Sequence, residues 1–168
     1  DPAHDYVMRA IKGGKNIVTA NKEMMAKAGH DLMEAAGAAN KDFFLEGSVA
    51  GGIPILAAVK ESLAANRVRE IVGIVNGTTN YILSAMAGGR NYSDVLAEAQ
   101  AQGYAETDPT ADVEGYDAVA KALILAALVF GHTITIDQVV REGITKVTKE
   151  QIHKANHENK RIKLLTSL

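Results

Sequence analysis

At 168 residues the chain suits one compact domain, or one and a fraction. With 47% apolar and 23% charged residues it has a globular balance, which excludes a disordered chain. Its 18 basic and 20 acidic side chains leave a net charge of −2 and no broad positive field for nucleic acid, while the lack of cysteine excludes disulfides and thiolate chemistry.

Pro2 to Gly13 reads as a helix, with Tyr6, Val7, Ala10 and Ile11 at helical spacing and Gly13-Gly14 as its stop. Asn16 to Ala20 reads as a short buried strand, and Asn21 as the cap of a helix from Lys22 to about Ala36. This is the helix-strand-helix tail of a doubly wound sheet without a preceding strand, so a fragment is expected. Phe43-Phe44-Leu45 is a second strand, ending at Glu46 in the glycine-rich turn Gly47-Ser48-Val49-Ala50-Gly51-Gly52. Pro54 fits the first position of a helix that ends near Asn66.

Val68 to Val75 is expected to be a central strand, turned at Gly77-Thr78-Thr79-Asn80 into a helix carrying Tyr81, Ile82 and Met86. Ser93 is read as the cap of a helix from Asp94 to Gln102, and Tyr104 to Gly115 as a polar loop. An apolar helix follows from Tyr116 to Phe130, then an irregular stretch, then a basic helix from Lys149 to Leu165. The longest apolar run, Ala122 to Phe130, is too short to cross a bilayer, and no secretory leader opens the chain. The expectation is a soluble, cytoplasmic α/β protein with helices packed on a mixed sheet. Its domains are expected at residues 1–40, the end of a dinucleotide-binding fold, and 41–168, a substrate domain short of its last strands.

The apolar helix carries one charge between Ala118 and Phe130, Lys121, and Asp117 lies four residues before it on the same face. Burial and an opposing helix dipole both push a lysine toward the range where it trades protons. The alternative is a plain intrahelical ion pair at the edge of the core. Glu106, Asp108, Asp112 and Glu114 put four carboxylates just ahead of this helix. They suit either solvated capping groups or a pocket for an ammonium ligand. Glu46 and its turn offer one carboxylate plus carbonyls, better matched to a monovalent cation than to calcium, and a simple tight turn is the other reading. Lys22 sits outside the carboxyl end of a strand, where α/β sheets place ligands. No G-x-G-x-x-G or G-x-S-x-G occurs. His153 and His157, four apart on the basic helix, lack a third ligand and read as solvated.

Four blocks together resemble the homoserine dehydrogenase family. They are Asn16 to Lys22, Glu46 to Pro54, Gly73 to Leu83, and Gly103 to Asp117 with Lys121 following; Glu142-Gly143-Ile144-Thr145 is a weaker echo. The resemblance implies NAD(P)-dependent hydride transfer between L-homoserine and L-aspartate 4-semialdehyde, on the route to threonine, methionine and isoleucine. It implies Lys121 as the acid/base, Glu106, Asp112 and Asp117 as substrate-binding residues, and Lys22, Gly103 and Glu106 beside the cofactor. It further implies a sodium ion held by Glu46 and the carbonyls of Val49, Gly51 and Ile53, and a homodimer or homotetramer. Ala111 stands where some members carry another aspartate. A chain that only binds an amino acid or assembles with itself is the alternative function.

Overall fold

The computed structural model describes residues 1–168, and the chain divides into two compact units. The first comprises residues 1–71, 120–139 and Leu168; the second comprises residues 72–119 and 140–167.

In the first unit, helix α1 (Pro2–Lys12) begins at Asp1, whose carboxylate accepts the Ala3 N–H at 2.9 Å. Strand β1 (Ile17–Val18) leads to helix α2 (Lys22–Ala38), capped as expected by Asn21, whose Oδ1 accepts the Met24 N–H at 3.0 Å. Strand β2 (Phe43–Phe44) pairs parallel to β1, with Ile17 opposite Phe43 and Val18 opposite Phe44. A parallel pair needs a crossover, and α2 supplies it. Ile11, Ile17, Met24, Met25, Leu32 and Ala36 bury one face of this βαβ unit, with Leu45, Val49, Leu56, Ile124 and Leu125 completing the core. Helix α3 (Ile55–Ala57) follows Pro54 and widens into a π turn over Ala58–Ser62, so the regular helix expected to reach Asn66 is cut short.

In the second unit, strand β3 (Val72–Gly73) pairs antiparallel with strand β4 (Thr166–Ser167). The long central strand expected from Val68 to Val75 is thus two residues of ladder. Ile71 and Leu168 exchange a further pair of backbone bonds beside it, at 3.1 and 3.0 Å, and β4 is the one strand that β3 pairs with, so the strand is not central as expected: apolar character marks burial, not the number of neighbours. Helix α4 (Gly77–Ala87) packs against helix α5 (Tyr92–Ala101), burying Ile82, Leu83, Met86 and Val95. The cap of α5 is Asn91 rather than Ser93, and the helix starts two residues earlier than expected. The polar loop after it contains a short helix, α6 (Thr110–Val113).

Helix α7 (Tyr116–Leu125) begins in the second unit and continues through residues of the first. Beyond Leu125 the expected helix opens into a π turn, Ala126–Phe130, closed by Gly131 at φ 66°. Helix α8 (Lys149–His157) opens with a reciprocal capping box between Thr148 and Gln151 and buries Ile152. It stops eight residues before Leu165 because Asn159 adopts φ 55° and lets the Lys160 N–H turn back to the Ala155 carbonyl at 2.8 Å. The class is α/β, with one parallel and one antiparallel ladder. No helix is long and apolar enough to cross a membrane.

Candidate active site

The second unit builds an acidic cluster around Asn76, at the head of α4. Asn76 is 5% exposed, and its Oδ1 accepts both the N–H and the hydroxyl of Thr79 at 2.8 Å. That bond caps α4 and fixes the amide so that Nδ2 points away from the helix. The same Nδ2 donates to Asp112 Oδ1 at 2.6 Å and to Asp117 Oδ2 at 2.9 Å. One neutral amide therefore gathers two carboxylates, from α6 and from the first turn of α7. Asp112 and Asp117 are both half-buried.

Two other carboxylates of the loop have partners away from Asn76. Asp108 accepts the Thr110 hydroxyl at 2.6 Å and its N–H at 3.1 Å, and these bonds hold its carboxyl below the usual aspartate range. Glu114 accepts the Thr145 hydroxyl at 2.8 Å. Of the four residues read as a cluster, Asp112 alone joins the Asn76 group, beside Asp117. Glu106 is exposed, and its carbonyl, like that of Thr107, accepts from Gln100 Nε2 at 3.1 Å. Gly103 turns the chain at φ 76°, and the Thr78 hydroxyl pins the next residue by its carbonyl at 2.8 Å.

Gly143 positions α6. A Cβ there would lie 2.5 Å from the Val113 carbonyl oxygen and 2.7 Å from Glu114 Cα, so only glycine admits the Ile144 N–H to Val113 O bond at 2.7 Å. The Glu142 to Thr145 echo thus has a packing reason.

In the first unit, Glu46 lies two residues past β2 and opens a 3₁₀ turn through Ser48. Its two carboxylate oxygens accept the Leu56 and Ala57 N–H groups, each at 2.8 Å, at the start of α3. Each oxygen keeps a second lone pair for another partner. Ala50 and Gly51 both take positive φ, 60° and 59°, which folds the turn back on itself. The Ser48 hydroxyl is 1% exposed and has no partner, an orphaned oxygen inside this turn. Val49 is buried, whereas Gly51 and Ile53 are exposed, and the Ile53 carbonyl accepts the Ile55 N–H at 2.8 Å. No group of three or more acidic or histidine side chains that could hold a metal ion forms anywhere, so a cation here would rest mainly on carbonyls and one carboxylate.

Lys22 begins α2 just past the carboxyl end of β1, half-buried, and Lys121 lies half-buried in the second turn of α7. Asp117 and Lys121 are one turn apart on that helix, as the sequence requires. A Cβ on Gly47 would come within 3.1 Å of the Ala20 side chain, so the Glu46 turn lies close against the segment leading to Lys22. Asn76 is the residue that sequence reasoning missed. The spacing of an asparagine three residues before Thr79 at a strand-to-helix turn signals the cap, but nothing local signals the two carboxylates.

The homoserine dehydrogenase family model matches residues 54–168. Homoserine dehydrogenase of Mycobacterium tuberculosis is 50% identical over 167 residues, which are 99% of this chain and 38% of that protein. The Corynebacterium glutamicum homoserine dehydrogenase is 48% identical over 162 residues, 96% of this chain and 36% of its own length. The crystal structure of a homoserine dehydrogenase from Thiobacillus denitrificans superposes with a TM-score of 0.94 at 47% identity, covering 99% of this chain and 39% of that one. A hyperthermophilic archaeal homoserine dehydrogenase in complex with NADPH superposes with a TM-score of 0.85 at 29% identity, over 99% of this chain and 49% of that one. The chain spans less than two fifths of the length of these curated relatives.

Proposed function

The chain belongs to the homoserine dehydrogenase family, and from that premise we propose that it carries the substrate-holding and proton-transfer residues of an NAD(P)-dependent interconversion of L-homoserine and L-aspartate 4-semialdehyde. The observation that carries this reading is the pair Asp112 and Asp117 gathered on the Asn76 amide, with Asp117 one helical turn before Lys121 on α7. Two carboxylates on a neutral donor form a region of negative charge suited to the substrate's α-ammonium. Glu106, on the exposed loop after α5, is assigned to the same amino acid and to the cofactor's edge.

The nicotinamide, when bound, supplies or accepts the hydride. Lys121 donates a proton to the carbonyl oxygen as the aldehyde becomes an alcohol, and takes it back from the hydroxyl in the reverse direction. Lys22 suits cofactor contact because it stands past the carboxyl end of a parallel strand, where ligands of α/β sheets lie, and Gly103 is assigned to the cofactor as well. For sodium, the donor set fits: Glu46 with the carbonyls of Val49, Gly51 and Ile53 gives a low-charge oxygen cage, and the partnerless Ser48 hydroxyl lies in the same turn.

This reading assigns residues 1–40 to the cofactor domain and 41–168 to the substrate domain, and makes the parent enzyme a cytoplasmic member of threonine and methionine synthesis. We assign it a homodimeric or homotetrameric state, supported by the exposed apolar side chains Val72 and Ile74 on and beside β3.

The test is Lys121→Ala in a full-length enzyme carrying these residues. Loss of a general acid should lower kcat by about 10²–10⁴, followed as NADPH absorbance during semialdehyde reduction. Near-normal turnover at neutral pH would remove Lys121 from the mechanism.

A further inference from the structure

Helix α8 carries two histidines with no part in the chemistry above. His153 and His157 lie four residues apart on its exposed side, their ring centroids 4.3 Å apart and their planes at 71°. Their Nε2 atoms approach to 3.2 Å. A hydrogen bond at that distance joins an N–H of one ring to a lone pair of the other, and the tautomer decides which ring donates.

We propose that His153 and His157 form a two-imidazole clamp for a borderline divalent transition metal ion such as Zn²⁺, which replaces the proton shared between them. The gap has the right size. With metal–nitrogen bonds of about 2.0–2.1 Å, a 3.2 Å separation of the two nitrogens corresponds to an N–metal–N angle of about 100°, between a right angle and the tetrahedral value. Both rings would then hold hydrogen at Nδ1 and turn the Nε2 lone pair to the metal.

The backbone beneath the pair is already fixed at three points. The Thr148–Gln151 capping box sets the first turn, Ile152 is buried in the core of its unit, and Asn156 Nδ2 donates to the Ala87 carbonyl at 2.9 Å. Binding therefore has little helix to order. The exposed charges beside the pair, Lys149 and Lys154 against Glu150 and Glu158, offset one another, so the imidazoles themselves decide the affinity. With two protein ligands the remaining positions fall to water, and the ion sits at the surface rather than at a reaction centre.

The experiment is calorimetric titration of the whole 168-residue chain with ZnCl₂ at pH 7.5, alongside His153→Gln, His157→Gln and the double variant. The expected result is one ion per chain in the native protein and no heat with MgCl₂, a hard cation that prefers oxygen. Each single variant should lower the affinity at least about tenfold, since losing a ligand costs no less than losing a residue that merely orients one. Both rings are exposed, so the variants should keep the native far-ultraviolet circular dichroism. ¹⁵N spectra of the histidine rings supply an independent measure, with Zn²⁺ expected to shift Nε2 of both residues together. Zn²⁺ binding as tight in the double variant as in the native chain, no detectable binding, or a shift confined to other histidines would overturn the proposal.

Discussion

Asn76 uses both amide hydrogens and both carbonyl lone pairs: Thr79 occupies the oxygen, and Asp112 and Asp117 occupy the nitrogen. The two halves of this side chain can be separated by mutation. Asn76→Asp keeps an oxygen for the α4 cap but replaces the donor with a third carboxylate. Hydrogen bonds to charged groups contribute about 1.5–3 kcal/mol, so kcat/KM for homoserine in a full-length enzyme should fall by roughly tenfold to a hundredfold. The same substitution should leave the far-ultraviolet spectrum of the folded protein in place. Unchanged kcat/KM would separate the carboxylate pair from substrate binding. Sequence spacing reveals the cap because Thr79 is only three residues away. It conceals the carboxylates because they lie 36 and 41 positions along the chain, brought back by α6 and α7. By contrast Asn21, whose whole role is played within three residues, was legible from the start.

Pairs of elements are held by polar bonds as well as by their cores, and α4 and α5 illustrate this. Tyr81 on α4 donates to Glu98 Oε1 on α5 at 2.5 Å, and Arg90, in the connection between them, donates to Oε2. The Arg90 hydrogen bond first, and the Tyr81 bond second, hold the Glu98 carboxyl below its ordinary value of 4.5. The Tyr81 phenol is correspondingly raised, chiefly by the bond to Glu98. A depressed carboxylate contributes stability that is present above its ordinary value and is lost as pH falls through the lower folded one. Because the group is partly solvated, the contribution is small, and the pKa itself is the better observable. Arg90→Leu should move the Glu98 carboxyl back toward 4.5, and Tyr81→Phe should do so to a lesser degree, as read by carboxylate carbon shifts in a pH titration. An unmoved Glu98 in Arg90→Leu would show that the guanidinium is not its controlling partner. At this scale the sequence conveyed where helices begin better than where they end. The cap residue Asn21 marks a start, although α5 begins at Tyr92 rather than Asp94, whereas Ala122 to Phe130 is apolar all round and gives no sign of where α geometry widens at Ala126. Asn159 does carry a stop signal for α8, since asparagine tolerates positive φ, and the helix expected to reach Leu165 overran it.

For the whole molecule, the exposed apolar side chains Val72 and Ile74 on and beside β3 bear on association. A ladder of two strands leaves N–H and C=O groups open on its outer edges, and a second copy offers the same groups in a self-complementary arrangement. Light scattering of the chain at micromolar concentration should therefore return a multiple of its single-chain mass, and should do so equally at high salt, because the contact is apolar and backbone-mediated. A single-chain mass at moderate salt would contradict the assembly.

The two-unit division has a consequence for synthesis. The first unit draws on residues 120–139 as well as 1–71, and the second waits for residues 140–167. On a ribosome the segment that opens the second unit emerges before the first unit has its last helix turns, so neither core can close on its own stretch of nascent chain. N-terminal-first folding, the usual order for consecutive domains, is denied to this arrangement. Met24 and Leu32 stay without Ile124 and Leu125 until about 90–100 further residues have been made, and over that interval their apolar side chains lack part of the core that buries them.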